Sequence, residues 1–222
     1  SDATYTDATT YTYCGENTGV STIDGEGMVT PYAKNTKVIL KGQLMQKDGD
    51  TYKTLELARW YGTDYAGEEA LRIAVANSLK YTLYSSPDGT NFDSIKPEDL
   101  MCVNGADVGA EAYEVGFKLS STTGFGENKT WYKYDSTQGY VLFGIVDDHD
   151  SNTTATNNDL KNVQPALLYK AGQTYYIVDI EHFGTQTAAY GVVRNHVYQI
   201  DINSITGYGS PVYSGIGDIV NP

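Results

Sequence analysis

The chain has 222 residues with a formal net charge of -13 and a pI near 4.5, so phosphate backbones and anionic lipid heads are repelled rather than attracted. That length buries a sizeable core without staples, and no run approaches the roughly 20 apolar residues of a membrane span. Twenty tyrosines against five phenylalanines supply many rings with a polar handle, suited to half-buried strands and to surfaces that touch other surfaces.

Ser1 to Thr10 is polar and does not read as an export signal. Short strand candidates then recur, separated by Gly, Asn, Asp or Pro: Thr9 to Cys14, Lys37 to Gln46, Thr51 to Ala58, Tyr113 to Ser120, Thr130 to Asp135, Gly139 to Val146, Thr174 to His182 and Val192 to Asn203. This spacing predicts a mainly β protein, a sandwich or barrel rather than a βαβ unit. Lys47-Asp48-Gly49-Asp50 carries an Asp-Gly hairpin signal and makes the second and third candidates antiparallel neighbours.

One segment departs from the β pattern. Gly67 to Leu83 places Leu71, Val75 and Leu79 at four-residue spacing, with Glu68 and Glu69 in the first turn, where a helix dipole favours carboxylates. The spacing predicts a helical insertion around residues 67–84, ended by Pro87-Asp88-Gly89. Lys96-Pro97-Glu98-Asp99 predicts a second, short helical turn. Asp147 to Asp159 reads as a long surface loop.

Little in the sequence supports catalysis and no cofactor is indicated; a secreted glycan hydrolase remains a third reading only because its two acids could come from different elements. His149, His182 and His196 fall in different elements without zinc spacing, and no nucleophile elbow or phosphate loop is present. Asp147, Asp148 and Asp150 gather oxygen donors that calcium accepts, but the fixed glycine and distal glutamate of an EF-hand are missing, and a solvated acidic loop is the simpler reading. Cys14 and Cys102 could form one bridge if their Cα separation allowed it. Trp60 and Trp131 could stack on sugars if exposed; core packing is the competing expectation.

From Tyr198 to Asn203, the residues Tyr198, Ile200 and Ile202 alternate with Gln199, Asp201 and Asn203, predicting a strand with one buried and one wet face. Gly207, Gly209 and Pro211 then stop it. Arg194, between valine and asparagine, could pair with a buried carboxylate or lie along an apolar edge.

Three segments together resemble the fimbrillins, the subunits of type V fimbriae on Gram-negative oral and gut anaerobes. Glu16-Asn17-Thr18 after Tyr13-Cys14-Gly15, followed by Thr36 to Gly42, is similar to that family's Glu-Asn-Thr turn and next strand. Tyr175-Tyr176-Ile177-Val178-Asp179-Ile180-Glu181-His182 is similar to its penultimate strand. Val193, Arg194, Asn195, His196 and Tyr198 with the Gly-x-Gly-x-Pro stop complete the match, which is nearest to the shaft subunit of the minor fimbria.

The resemblance implies a transthyretin-like β-sandwich, placement in a fimbrium on the bacterial outer membrane, and assembly with other subunits by strand donation. Host or bacterial surface ligands would be further partners; a carbohydrate-binding adhesin domain at a fimbrial tip is the alternative. Because the family's Glu-Asn-Thr turn opens its C-terminal domain, residues 1–222 are expected to form one such domain without its N-terminal neighbour. After Pro211 the family continues into a long tail, whereas Ile216, Ile219 and Val220 are few and separated by glycine and aspartate, leaving the donor strand largely unaccounted for.

Overall fold

The computed structural model describes residues 21–23, 29–31, 36–119, 129–146, 160–181, 190, 192–193 and 195–211. The chain is mainly β, with strands β1 (Ser21–Ile23), β2 (Val29–Pro31), β3 (Lys37–Gln43), β4 (Met45–Asp48), β5 (Thr51–Thr54), β6 (Leu57–Trp60) and β7 (Thr63–Tyr65) preceding helix α1 (Gly67–Leu79). Then follow β8 (Leu83–Ser86), β9 (Asp93–Ser94), β10 (Leu100–Asn104), β11 (Val115–Leu119), β12 (Lys129–Asp135), β13 (Gly139–Val146), β14 (Leu167–Tyr169), β15 (Gln173–Asp179) and β16 (Ser210–Pro211). They form small sheets, whose recorded pairings are antiparallel; the largest runs β13-β12-β8-β9.

Two compact units divide the chain, the first holding residues 1–40, 176–206 and 221, the second residues 41–175, 207–220 and 222. In the first, β1 pairs with β2, and the Lys37 ammonium meets the Asp179 carboxylate at 3.1 Å.

The second unit holds the main core. Leu71 and Val75 of α1 are fully buried, and the helix lies against β6, β10 and β14. Ala58, Trp60, Leu100, Val115, Phe117, Trp131 and Leu168 fill the space beneath it. Each fully buried Val, Leu or Phe side chain contributes about 1.5–3 kcal/mol, so this cluster is the principal source of stability for the unit. Trp60 donates its indole N–H to the Gln164 carbonyl at 2.7 Å, meeting the polar demand of a ring that is only 7% exposed.

The helix ends at Leu79, five residues before the predicted limit. The Thr82 amide and hydroxyl both donate to the Leu79 carbonyl, at 2.9 and 3.1 Å, closing the last turn, and Leu83 turns into the core as the first residue of β8. At the other end Glu56 Oε1 accepts from the Glu68 amide at 3.3 Å, capping from outside the helix. The expected second helical turn is a 3₁₀ turn, Pro97–Asp99, whose Asp99 carboxylate accepts the Lys96 amide at 2.9 Å. The Asp-Gly hairpin forms as predicted: β4 and β5 pair from Met45↔Thr54 to Asp48↔Thr51, with Gly49 at φ 61°.

Two predicted strands are each divided. Lys37 to Gln46 breaks at Leu44 and Thr51 to Ala58 breaks at Leu55-Glu56. At the breaks the Leu55 amide donates to the Leu44 carbonyl, while the Leu44 amide turns to the Gly172 carbonyl at 2.7 Å.

The larger correction concerns Val192 to Asn203, which is not a strand. Val192 makes one isolated bridge, Asn195 turns with φ 63°, and residues 196–206 take no ladder partner among the described residues. Positive φ at a non-glycine residue costs about 1–2 kcal/mol and ends a strand, which alternation of side chains does not reveal.

Candidate assembly segment near the C-terminus

The first unit keeps the predicted alternation at Tyr198 and Ile200 but not at Ile202, and without the ladder. Tyr198 and Ile200 are half-buried, whereas Gln199, Asp201 and Asn203 are exposed. Val197 is 81% exposed, Ile205 62% and Ile202 37%. A stretch outside any ladder among the described residues that bares aliphatic side chains is a candidate template for pairing with another strand. Its turn is held locally: the Val193 amide donates to the Tyr198 hydroxyl at 2.9 Å across the turn at Asn195, and His196 is exposed with its ring 6.4 Å from that of Tyr198.

The structure therefore brings Val193, Asn195, His196 and Tyr198 together in one turn. Tyr176 stands apart in β15, half-buried, with burial raising its hydroxyl above the ordinary tyrosine range. Glu16, Asn17, Thr18, His182 and Arg194 lie outside the described residues, as do Cys14, His149 and the calcium candidates Asp147, Asp148 and Asp150. Cys102 is half-buried in β10, and burial pushes its thiol up to about 12.

In the second unit, residues 207–211 are fastened down. Gly207 and Gly209 adopt φ of 80° and 69°, which lets the chain fold back so that β16 pairs with β15 through Thr174↔Pro211 and Tyr175↔Ser210. The buried Thr174 hydroxyl donates to the Tyr208 carbonyl and, at 3.1 Å, to the Ser210 carbonyl. Tyr169 donates its hydroxyl to the Gly209 carbonyl at 2.8 Å.

A charged clamp holds the Tyr208 ring. Arg59 grips Asp64 through Nε at 2.7 Å and Nη2 at 3.2 Å, and its guanidinium carbon lies 5.0 Å from the Tyr208 ring centroid. The Tyr208 hydroxyl donates to Asp64 Oδ2 at 3.2 Å. Arg59 in turn holds the Asp64 carboxyl below the usual carboxylate range, with a smaller contribution from Tyr208. The pair is partly exposed, so its role is to orient the ring more than to add stability.

Sequence reading missed Arg59, Asp64, Tyr169, Thr174 and Tyr208 as a group. Only the glycine pair and Pro211 gave a signal there, because the other partners are distant in sequence. Trp60 and Trp131 are both in the core, 7% and 0% exposed, so neither is a sugar platform.

Tyr169, Thr174 and Tyr208 fall within the span of a family match. No curated protein and no solved structure matches the chain. Residues 167–220 match the family model described as Major fimbrial subunit protein type IV, Fimbrillin, C-terminal, a span that runs from β14 through β15 and the stretch 196–206 to β16 and beyond. Over those residues, the chain is similar to the fimbrillin C-terminal family.

Proposed function

We propose that the chain is a structural subunit domain of a cell-surface fimbria, that it polymerises by strand donation, and that the polymer supports adhesion. The fimbrillin match over residues 167–220 supports the structural role. The observation that carries the assembly reading is the stretch 196–206, which joins no ladder among the described residues and bares Val197, Ile202 and Ile205. A strand from a neighbouring subunit would cover those side chains, with main-chain bonds giving affinity and alternate side chains giving selectivity. This chemistry calls for no catalytic residue. A shaft position on the outer membrane of a Gram-negative cell is the matching location.

The test is expression of the complete gene product on its native cell surface, followed by electrophoresis of the sheared surface fraction in detergent with and without boiling. Wild type should give a ladder of polymers that boiling collapses. Val197→Asp with Ile202→Asp should leave folded monomer, judged by circular dichroism, and lose the ladder. A ladder undiminished in that double variant would sink the assignment of the pairing edge, and monomer alone in wild type would sink assembly itself.

A further inference from the structure

The outer face of the β13-β12-β8-β9 sheet carries a cluster of rings that the assembly reading does not use. Tyr132 lies between Leu142 on one neighbouring strand and Tyr84 on the other, while Tyr134 is directly opposite Tyr140. Phe92, from the loop between β8 and β9, stacks on Tyr140 at 3.7 Å with the planes 7° apart and meets Tyr132 edge-on at 5.0 Å. Tyr84 and Tyr134 approach Tyr140 edge-on at 5.0 and 5.3 Å. The cluster is contiguous and open: Tyr134 is 52% exposed, Tyr140 40% and Leu142 61%.

Three properties define what this face would accept. The rings are locked against one another across three strands and a loop, so little ordering is left to be lost on binding. The hydroxyls of Tyr84, Tyr132, Tyr134 and Tyr140 take no hydrogen-bond partner among the described residues, so an aliphatic partner would leave polar groups buried and unmet.

The third property is charge. The ring cluster contains no cation or carboxylate of its own, and its rim is acidic. Gly89, beside Tyr132, follows Asp88, and Tyr134 precedes Asp135. Both carboxylates are held below the usual range by backbone amides, those of Asn91 and Thr90 for Asp88 and those of Gln138 and Thr137 for Asp135, and so stay charged. With a chain charge of -13, that rim disfavours an anionic polymer, and it opposes the approach of a second, equally acidic copy.

We infer that the Tyr84, Phe92, Tyr132, Tyr134 and Tyr140 cluster is a binding platform for an uncharged oligosaccharide. The C–H face of a pyranose stacks on an exposed ring, and its hydroxyls exchange hydrogen bonds with the tyrosine hydroxyls at the rim. Both demands of the face are met by one ligand that is apolar on its flat side and polar at its edge. The platform is independent of the stretch 196–206, and polymerisation is not required for binding.

Isothermal titration of the full chain with hexamers of cellulose, starch, xylan, mannan and chitin, and with hexagalacturonate as the anionic probe, tests the inference. At least one neutral hexamer should bind, and hexagalacturonate should bind more weakly or not at all. Tyr134→Ala should weaken the neutral interaction about tenfold. Tyr134→Phe should weaken it less, and Tyr52→Ala, an exposed ring elsewhere at 58%, should leave it unchanged. Absence of heat with all five neutral hexamers overturns the inference, as does equal affinity in wild type and Tyr134→Ala. A concentration-dependent dimer that Tyr134→Ala abolishes, and that no sugar competes away, overturns it too by making the face a contact between copies. An intact polymer ladder in Tyr134→Ala separates failure here from failure of the assembly reading.

Discussion

Replacing Thr174 with valine isolates what holds residues 207–211 in place. The two side chains have nearly the same shape, so packing in this 2% exposed site is preserved while the hydroxyl is lost. One hydroxyl proton is shared between the Tyr208 and Ser210 carbonyls, so a single bond's worth of energy is at stake. Ser210 remains in register with Tyr175, which leaves the Tyr208 carbonyl as the acceptor stripped of its partner. Loss of a bond that strands a partly buried acceptor costs about 1–3 kcal/mol, and the compensation at Ser210 places this case near the lower half, about 1.5 kcal/mol. That corresponds to roughly a tenfold rise in the local opening constant. Hydrogen exchange read by mass spectrometry should show it at residues 207–210, while amides of β6 and β11 keep their protection. Thr174→Ser keeps the hydroxyl and should retain most of the protection. If exchange at 207–210 is unchanged in Thr174→Val, or if protection falls equally throughout the core, the fastening role of this hydroxyl is refuted.

Two further perturbations separate other physical terms. Gly105→Ala would place a Cβ 3.0 Å from the Glu114 carbonyl oxygen and closer still to that of Glu111, both backbone atoms that cannot swing away, so urea melts should show a loss exceeding about 2 kcal/mol; Gly207→Ala meets nothing within 4 Å and should cost only the positive-φ penalty of about 1 kcal/mol. Because the folded-state pKa of Asp88 is depressed, its stabilising effect on the Ser86–Asn91 turn is fully present above the unfolded carboxylate range and lost as pH falls through the folded value; NMR titration should find its carboxyl carbon shifting below the ordinary aspartate range, and a midpoint within that range would contradict the hydrogen-bond assignment.

The sequence made legible those elements whose pattern is imposed by a packed face. β13 has the predicted bounds, β12 is one residue longer, and β11 falls within Tyr113 to Ser120. For α1, Leu71 and Val75 are buried as their spacing requires, because a four-residue repeat is sufficient to define the core side of a helix. The failures share a different cause. The breaks at Leu44 and Leu55 arise from backbone bonds between segments, and the Tyr208 clamp joins Arg59 and Asp64 to a residue more than a hundred positions later. The aromatic platform likewise needs the β12–β13 and β12–β8 registers, which side-chain type alone does not supply.

The stretch 196–206 shows why pattern and pairing must be argued separately. Alternation of Tyr198 and Ile200 with Gln199 and Asp201 survives as half-buried against exposed, but Ile202 is exposed beside Asn203, so the two predicted faces hold only as far as Asp201. A ladder, however, is a property of two segments, and a chain can keep an intrinsically strand-like pattern where no internal neighbour lies beside it. Holding Val197 and Ile205 in water costs hydrophobic free energy that a folded monomer ordinarily recovers by burial. Donation of a strand from another subunit would recover it on assembly, and the same event would give the stretch a ladder. Under this proposal the missing ladder and the exposed aliphatic side chains have one cause, and both should disappear together when the subunit joins its polymer.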